Sequence, residues 1–215
     1  MIGMDRFDPL QMRELAARYL RDLERLMAQV DLDAIARIAG LLRAARDEGG
    51  TIYIAGNGGS AATASHWAND LGKATKCAGR SCVRVMCLSD NTPWLTALAN
   101  DEGYERVFAG QLENFAVPGD ALIVISASGN SSNLVRAVEL AKERGLLTIA
   151  LLGFDGGVLK DRVHEYLWLP TETGAYGLVE SGHSVLSDIV TTCLMEDTEA
   201  AAAVGASSAS DLRPA

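Results

Sequence analysis

The sequence predicts an α/β fold in which five parallel strands are sandwiched by helices, with two further helices at the N-terminus. Three observations carry this reading. Five short runs, at 51–55, 83–88, 121–126, 147–152 and 165–169, are apolar at most positions, as strands covered on both faces must be. Helical periodicity fills the gaps at 60–73, 92–100, 104–115, 131–144 and 156–162. A longer helical stretch follows at 176–197. Strand and helix alternating in this way build a parallel sheet with right-handed crossovers.

Ahead of the first strand, residues 9–48 hold two amphipathic helices. Leu10, Met12, Leu15, Tyr19, Leu23 and Met27 form the apolar stripe of the first, and Ile35, Ile38, Leu41, Leu42 and Ala45 that of the second. Asp31 or Asp33 is placed to cap the second helix, and Gly49-Gly50 ends it. These helices lie outside the strand pattern, so residues 1–50 are expected to be a helical extension used for oligomerisation. Residues 51–197 form the ligand-binding domain. Residues 198–215, with small side chains and Leu212 as the one large apolar residue, are expected to be a disordered tail.

At 215 residues the chain fits a single domain, and 48% hydrophobic residues suffice for a sizeable core. A net charge of −9 leaves no general basic surface, which argues against nucleic acid or an anionic membrane as partner. No run approaches the ~18 apolar residues of a membrane span, and the N-terminus lacks a basic flank followed by an apolar stretch. A cytoplasmic location is therefore expected. Cys77, Cys82, Cys87 and Cys193 contain no CxxC pair and read as reduced thiols, a zinc site from Cys77 and Cys82 being the rival reading.

Chemistry concentrates in two turns. After the first strand comes Gly56-Asn57-Gly58-Gly59-Ser60, then a helix; such a turn lets backbone approach a ligand closely and presents free N–H groups at a helix N-terminus. The third strand repeats the arrangement with Ser126, Ala127, Ser128, Gly129, Asn130 and Ser131. Ser131 also reads as an ordinary N-cap. Two such turns at the C-terminal ends of neighbouring strands mark the crevice where open α/β sheets bind ligands, and the ligand they suit is an anion such as phosphate. A Walker-type site is excluded by the missing GK[ST], and GNGGSA does not continue as a dinucleotide fingerprint.

The stretches GNGGSAATASHWAND, LSDNTPWLTALANDEGYERVF, ISASGNSSNLVRAVELA, TIALLGFDGGVLKD and VESGHSVL together resemble the sugar isomerase (SIS) domain proteins of the phosphoheptose isomerase group, across residues 10–197. That resemblance implies a three-layer α/β/α sandwich of flavodoxin-like type, a homotetramer, and a small phosphorylated sugar as ligand. It implies interconversion of sedoheptulose 7-phosphate and D-glycero-D-manno-heptose 7-phosphate through an enediol. The same group includes a non-catalytic protein that binds the replication initiator, so a sugar-phosphate-binding adaptor is the alternative, as is an isomerase of another ketose or aldose phosphate. Substrate binding is carried over to Asn57, Gly58, Gly59, Ser60, Asp90, Ser126, Ala127, Ser128, Ser131 and Glu180.

The reactive end departs from the family pattern. His66 and Asp70 stand four apart and so share a helix face. Asp70 occupies the place of the family's glutamate base, Glu180 that of a glutamine, and Asp188 that of a histidine acting as acid or base. His183 matches a further family histidine, and Gly177 and Ala74 replace an aspartate and an arginine, with Lys73 close by. Catalysis is therefore expected from Asp70 with Asp188 or His183. Zinc or another divalent ion is expected on His66, Asp70 and Glu180, with His183 or Asp188 as fourth ligand. Glu180 and Asp188 are eight residues apart, about 12 Å along a helix, so the short Asp188 side chain would need help to join the same ion.

Overall fold

The computed structural model describes residues 8–76 and 81–210, with side chains as far as Glu196. Cys77 and residues 211–215 of the expected tail lie outside this range; residues 198–210, expected to be disordered, continue the last helix instead. Two helices open the chain, α1 (Pro9–Met27) and α2 (Leu32–Asp47), each started by an aspartate whose carboxylate accepts from a first-turn amide: Asp8 from Leu10 and Asp31 from Ala34. Then come β1 (Thr51–Gly56), α3 (Gly59–Lys73), β2 (Arg84–Cys87), α4 (Thr92–Asp101), α5 (Ala109–Phe115), β3 (Ala121–Ser126), α6 (Ser132–Glu143), β4 (Leu147–Leu152), β5 (Glu165–Trp168) and α7 (Tyr176–Ser210).

The five strands form one sheet, all pairs parallel, in the order β2-β1-β3-β4-β5. This is the flavodoxin-like order expected from the family resemblance. From β1 the chain builds outward to β2, and from β3 it builds outward the other way. The turns leaving β1 and β3 therefore diverge, opening a crevice between them at the C-terminal edge.

Alternation along the buried strands sorts side chains into two cores. Ile52, Ile54, Ile123, Ile125, Ile149 and Leu151 face α2, α3 and α7, where they meet Ile38, Leu42, Trp67, Leu71, Leu186 and Val190. Tyr53, Ala55, Leu122, Val124, Ala150 and Leu152 face α4, α5 and α6. Helix α2 is thus part of a core layer through Ala34, Ile35, Ile38 and Leu42, whereas α1 leaves Leu10, Met12, Leu15 and Leu20 exposed.

Two expected helices are shorter than the pattern implied. The stretch 104–115 is a 3₁₀ turn, Tyr104–Arg106, followed by α5. The expected helix at 156–162 is a 3₁₀ turn at Val158–Asp161, because Gly156 and Gly157 both take positive φ. No helix among the described residues is long and apolar enough to cross a membrane. Cys82, Cys87 and Cys193 are free thiols, and burial pushes the Cys87 thiol up to about 11, so it stays protonated at neutral pH.

Trp67 joins α3 to α7: it is fully buried, and its indole N–H donates to Thr191 Oγ1 at 3.1 Å. Trp67→Ala is expected to lower unfolding free energy by ~3–5 kcal/mol, read from a urea transition with unchanged m-value.

Candidate active site

Helix α3 begins without a side-chain cap, because Gly58 holds the N-cap position. Helix α6 begins at Ser131, which occupies the N-cap position but makes no capping bond with its hydroxyl. Both helix ends thus leave first-turn donors for a ligand. In the loop after β3, Ser126 Oγ accepts from Gly129 N at 3.0 Å and Ser128 Oγ from Asn130 N at 3.3 Å. Each amide fixes a serine oxygen and leaves its O–H to donate outward. Gly129 has φ 63°, and a side chain there would collide with the Gly156 carbonyl, so the loop depends on glycine at this point.

Ser60, Ser126, Ala127, Ser128 and Ser131 line a cavity of about 140 Å³, with Asn57, Tyr176 and Glu180 at its edge. No lining residue is cationic. An anion here would be held by hydroxyls, amides and two helix N-termini, as phosphate is in other α/β crevices. A larger cavity, about 670 Å³, lies at the opposite edge of the sheet beside Gly50, Arg84 and Asp120, away from both turns.

Asn57 is locked in place. Its amide nitrogen donates to Asn133 Oδ1 (3.0 Å), its oxygen accepts from Asn133 Nδ2 (2.9 Å), and the Tyr104 hydroxyl donates to the same oxygen (2.9 Å). The side chain read as a substrate contact is therefore committed to joining the β1 turn to α6. Asn133 is 1% exposed, so its amide has no water to turn to.

Helices α3 and α7 run side by side in the same direction. Glu180 lies against Gly59, where a Cβ would overlap its carboxylate; Ser184 meets Thr63 (3.4 Å), Asp188 meets His66 and Thr191 meets Trp67. A cleft of about 380 Å³ between them is lined by Gly59, Thr63, His66, Glu180, Ser181 and Ser184. Glu180 borders both this cleft and the serine cavity.

At the far end His66 Nε2 is 3.2 Å from Asp70 Oδ2 and 3.6 Å from Asp188 Oδ1. The three donor atoms lie within 4.8 Å of one another. The second Asp70 oxygen accepts from Asn69 Nδ2 at 3.0 Å. One imidazole nitrogen and two carboxylate oxygens suit zinc, and three protein ligands are the number a catalytic zinc site uses.

The ligand set read from the sequence is thereby corrected. Asp188, one of the two candidates for the fourth ligand, is the residue that joins His66 and Asp70, because α3 advances in parallel with α7 and brings His66 to the same level. Glu180 stays two turns back. His183 points to the other side of α7: it is fully buried and neither ring nitrogen has a hydrogen-bond partner. Burial lowers its pKa to about 4, the nearby Leu152 carbonyl offsetting this only in part, so it is neutral and outside the ligand group. Asp90 lies outside both cavities and accepts from Ser65 Oγ at 3.1 Å; the cap of α4 is Asn91. Lys73 is exposed at the end of α3. Three residues went unread: Asn133 and Tyr104, paired with Asn57, and Tyr19, whose hydroxyl lies 2.9 Å from Ser181 Oγ. The one local signal among them was Asn133, a buried amide three positions after Asn130.

Two outcomes are expected. Asn133→Ala leaves the Asn57 amide without its partner, and should cost ~1–3 kcal/mol of stability and weaken inorganic phosphate binding in calorimetry. For His183, the unfolded chain takes up a proton below about pH 6.5 while the folded chain resists to about 4. Stability is therefore full above 6.5 and falls as pH drops towards 4. The urea midpoint should follow that course, and His183→Leu should flatten it.

The SIS domain family model matches residues 18–153. The phosphoheptose isomerase of Chlorobaculum tepidum is 35% identical over 87% of this chain and 89% of its own length. The lincomycin biosynthesis protein LmbN of Streptomyces lincolnensis is 41% identical over 76% of this chain and 62% of its own length. The solved phosphoheptose isomerase of Neisseria gonorrhoeae superposes with a TM-score of 0.77 at 30% identity, covering 86% of this chain and 98% of that one. The chain belongs to the SIS-domain family, in its phosphoheptose isomerase group.

Proposed function

We propose that this protein is an aldose–ketose isomerase that interconverts sedoheptulose 7-phosphate and D-glycero-D-manno-heptose 7-phosphate. The observation that carries the reading is the continuity of the site. The serine cavity, Glu180 and the His66–Asp70–Asp188 group lie in sequence along the α3/α7 face, an anion cradle at one end and acid–base groups at the other. The phosphate ester sits among Ser60, Ser126, Ser128 and Ser131, and the open sugar chain runs past Glu180 towards His66.

Asp70 takes the proton from the carbon next to the carbonyl, the enediol forms, and the proton returns to the neighbouring carbon. Asp188 moves the second proton between the two oxygens. General acid–base steps of this kind contribute ~10²–10⁴-fold each. His66, Asp70 and Asp188 would hold zinc, which supplies polarisation of the carbonyl. His183 takes no proton in this scheme, being buried and neutral.

The reading includes a homotetramer in the cytoplasm. The exposed apolar stripe Leu10, Met12, Leu15 and Leu20 on α1 supports assembly, and the free thiols suit a reducing compartment. Similarity to a lincomycin biosynthesis protein supports a second reading, an isomerase of another ketose phosphate.

Incubation with sedoheptulose 7-phosphate in heavy water tests the proposal by NMR. The expected result is the aldose product with deuterium beside the carbonyl, lost on chelation and restored by zinc. Asp70→Asn should reduce kcat by ~10²–10⁴-fold. Absence of product and of exchange, with and without zinc, overturns it, and turnover of a different ketose phosphate alone selects the second reading.

A further inference from the structure

The serine cavity has an aromatic wall that the phosphate-binding turns do not supply. Tyr176, the first residue of α7, lines it, yet the residue is 54% exposed. Its ring packs edge-to-face on Phe154, centroids 5.1 Å apart at 78°. Its hydroxyl has no hydrogen-bond partner among the described residues.

Phe154 is held in an unusual state to make this contact. It is the one non-glycine residue among those described with positive φ, at 44°. Such a backbone costs ~1–3 kcal/mol and persists where its surroundings over-determine it. They do so here: the Phe154 amide donates to Thr171 Oγ1 (3.4 Å) and its carbonyl accepts from Trp168 Nε1 (3.1 Å). Trp168 is itself covered by the Lys160 ammonium, 3.3 Å from the ring centroid. The Phe154 side chain, 4% exposed, then packs with Ala127 of the phosphate loop and Val179 of α7. A strained residue is thus spent on fixing an aromatic ring at the mouth of the cavity.

Tyr176 and Glu180, one turn apart on α7, both line this cavity, so a sugar chain that leaves the serines past Glu180 also passes the half-exposed Tyr176 ring. We propose that Tyr176 is a specificity-determining residue of this site: its ring covers the carbons next to the phosphate ester, so the protein binds sugar phosphates in preference to inorganic phosphate. This rests on the reading of the serine cavity as the phosphate end of a sugar-phosphate site. An aromatic face lying on aliphatic C–H groups removes apolar surface from water and stiffens the bound chain, while the phosphate itself touches the serines and amides.

The test compares two ligands in Tyr176→Ala and Tyr176→Phe, in the full chain with thermal unfolding as the check on folding. In Tyr176→Ala, KM for sedoheptulose 7-phosphate should rise about tenfold, with kcat reduced far less and Ki for inorganic phosphate unchanged. Tyr176→Phe should keep the wild-type KM. An unchanged KM in Tyr176→Ala overturns the proposal. So does a parallel rise in Ki for inorganic phosphate, which would mean that the residue only shapes the cavity. A loss in Tyr176→Phe equal to that in Tyr176→Ala overturns it too, by assigning the contact to the hydroxyl. If the wild-type protein isomerises no sugar phosphate, the proposed activity fails, and calorimetric Kd values for sedoheptulose 7-phosphate and inorganic phosphate in the same variants decide the role of Tyr176 independently.

Discussion

Helix α3 packs against residues 180–191 of α7, the two advancing in the same direction, and the site depends on that packing. At Gly59 the Glu180 carboxylate of α7 occupies the space beside the α3 backbone. Trp67, fully buried and bonded to Thr191, fixes the register further along. With both ends set, Thr63 must face Ser184 and His66 must face Asp188. The acid–base groups are carried by neither helix alone; they are assembled by the interface between two helices more than a hundred residues apart in the chain.

The sheet supplies the other half of the site by its strand order. Because β1 and β3 are neighbours and their outgoing connections diverge, the turn that starts α3 and the turn that starts α6 open onto the same crevice. The paired amides of Asn57 and Asn133, with the Tyr104 hydroxyl, then tie the two turns together. That arrangement explains how a cavity without a lysine or arginine is suited to an anion: its donors are numerous, neutral and held in fixed directions, so little reorganisation is needed on binding.

The polar groups around the site divide into two kinds. His66, Asp70 and Asp188 are close together and reachable from solvent. His183 is buried without a partner, a costly condition for an imidazole and one that removes it from proton traffic at neutral pH. Two histidines that look equivalent as letters in a family pattern therefore do different physical work. One faces a cleft, and the other fills space between α7 and the sheet.

The sequence by itself determined the α/β class, the five strands within a residue or two, the two glycine- and serine-rich turns, and the His66–Asp70 face. These are local: strand burial, helical period and turn chemistry are each written within a window of a few to fifteen residues. Only the tertiary structure decided that Asp188 rather than Glu180 or His183 meets His66 and Asp70. It also decided that Asn57 is tied to Asn133, and that Phe154 adopts a left-handed backbone to seat Tyr176. Those choices turn on the register between α3 and α7 and on the junction of β4, β5 and the phosphate loop. Such contacts join segments whose separation in the chain leaves no periodic trace. The two phosphate-binding turns were legible because each is one continuous stretch of chain; the reactive end was not, because it comes into being only when two helices pack.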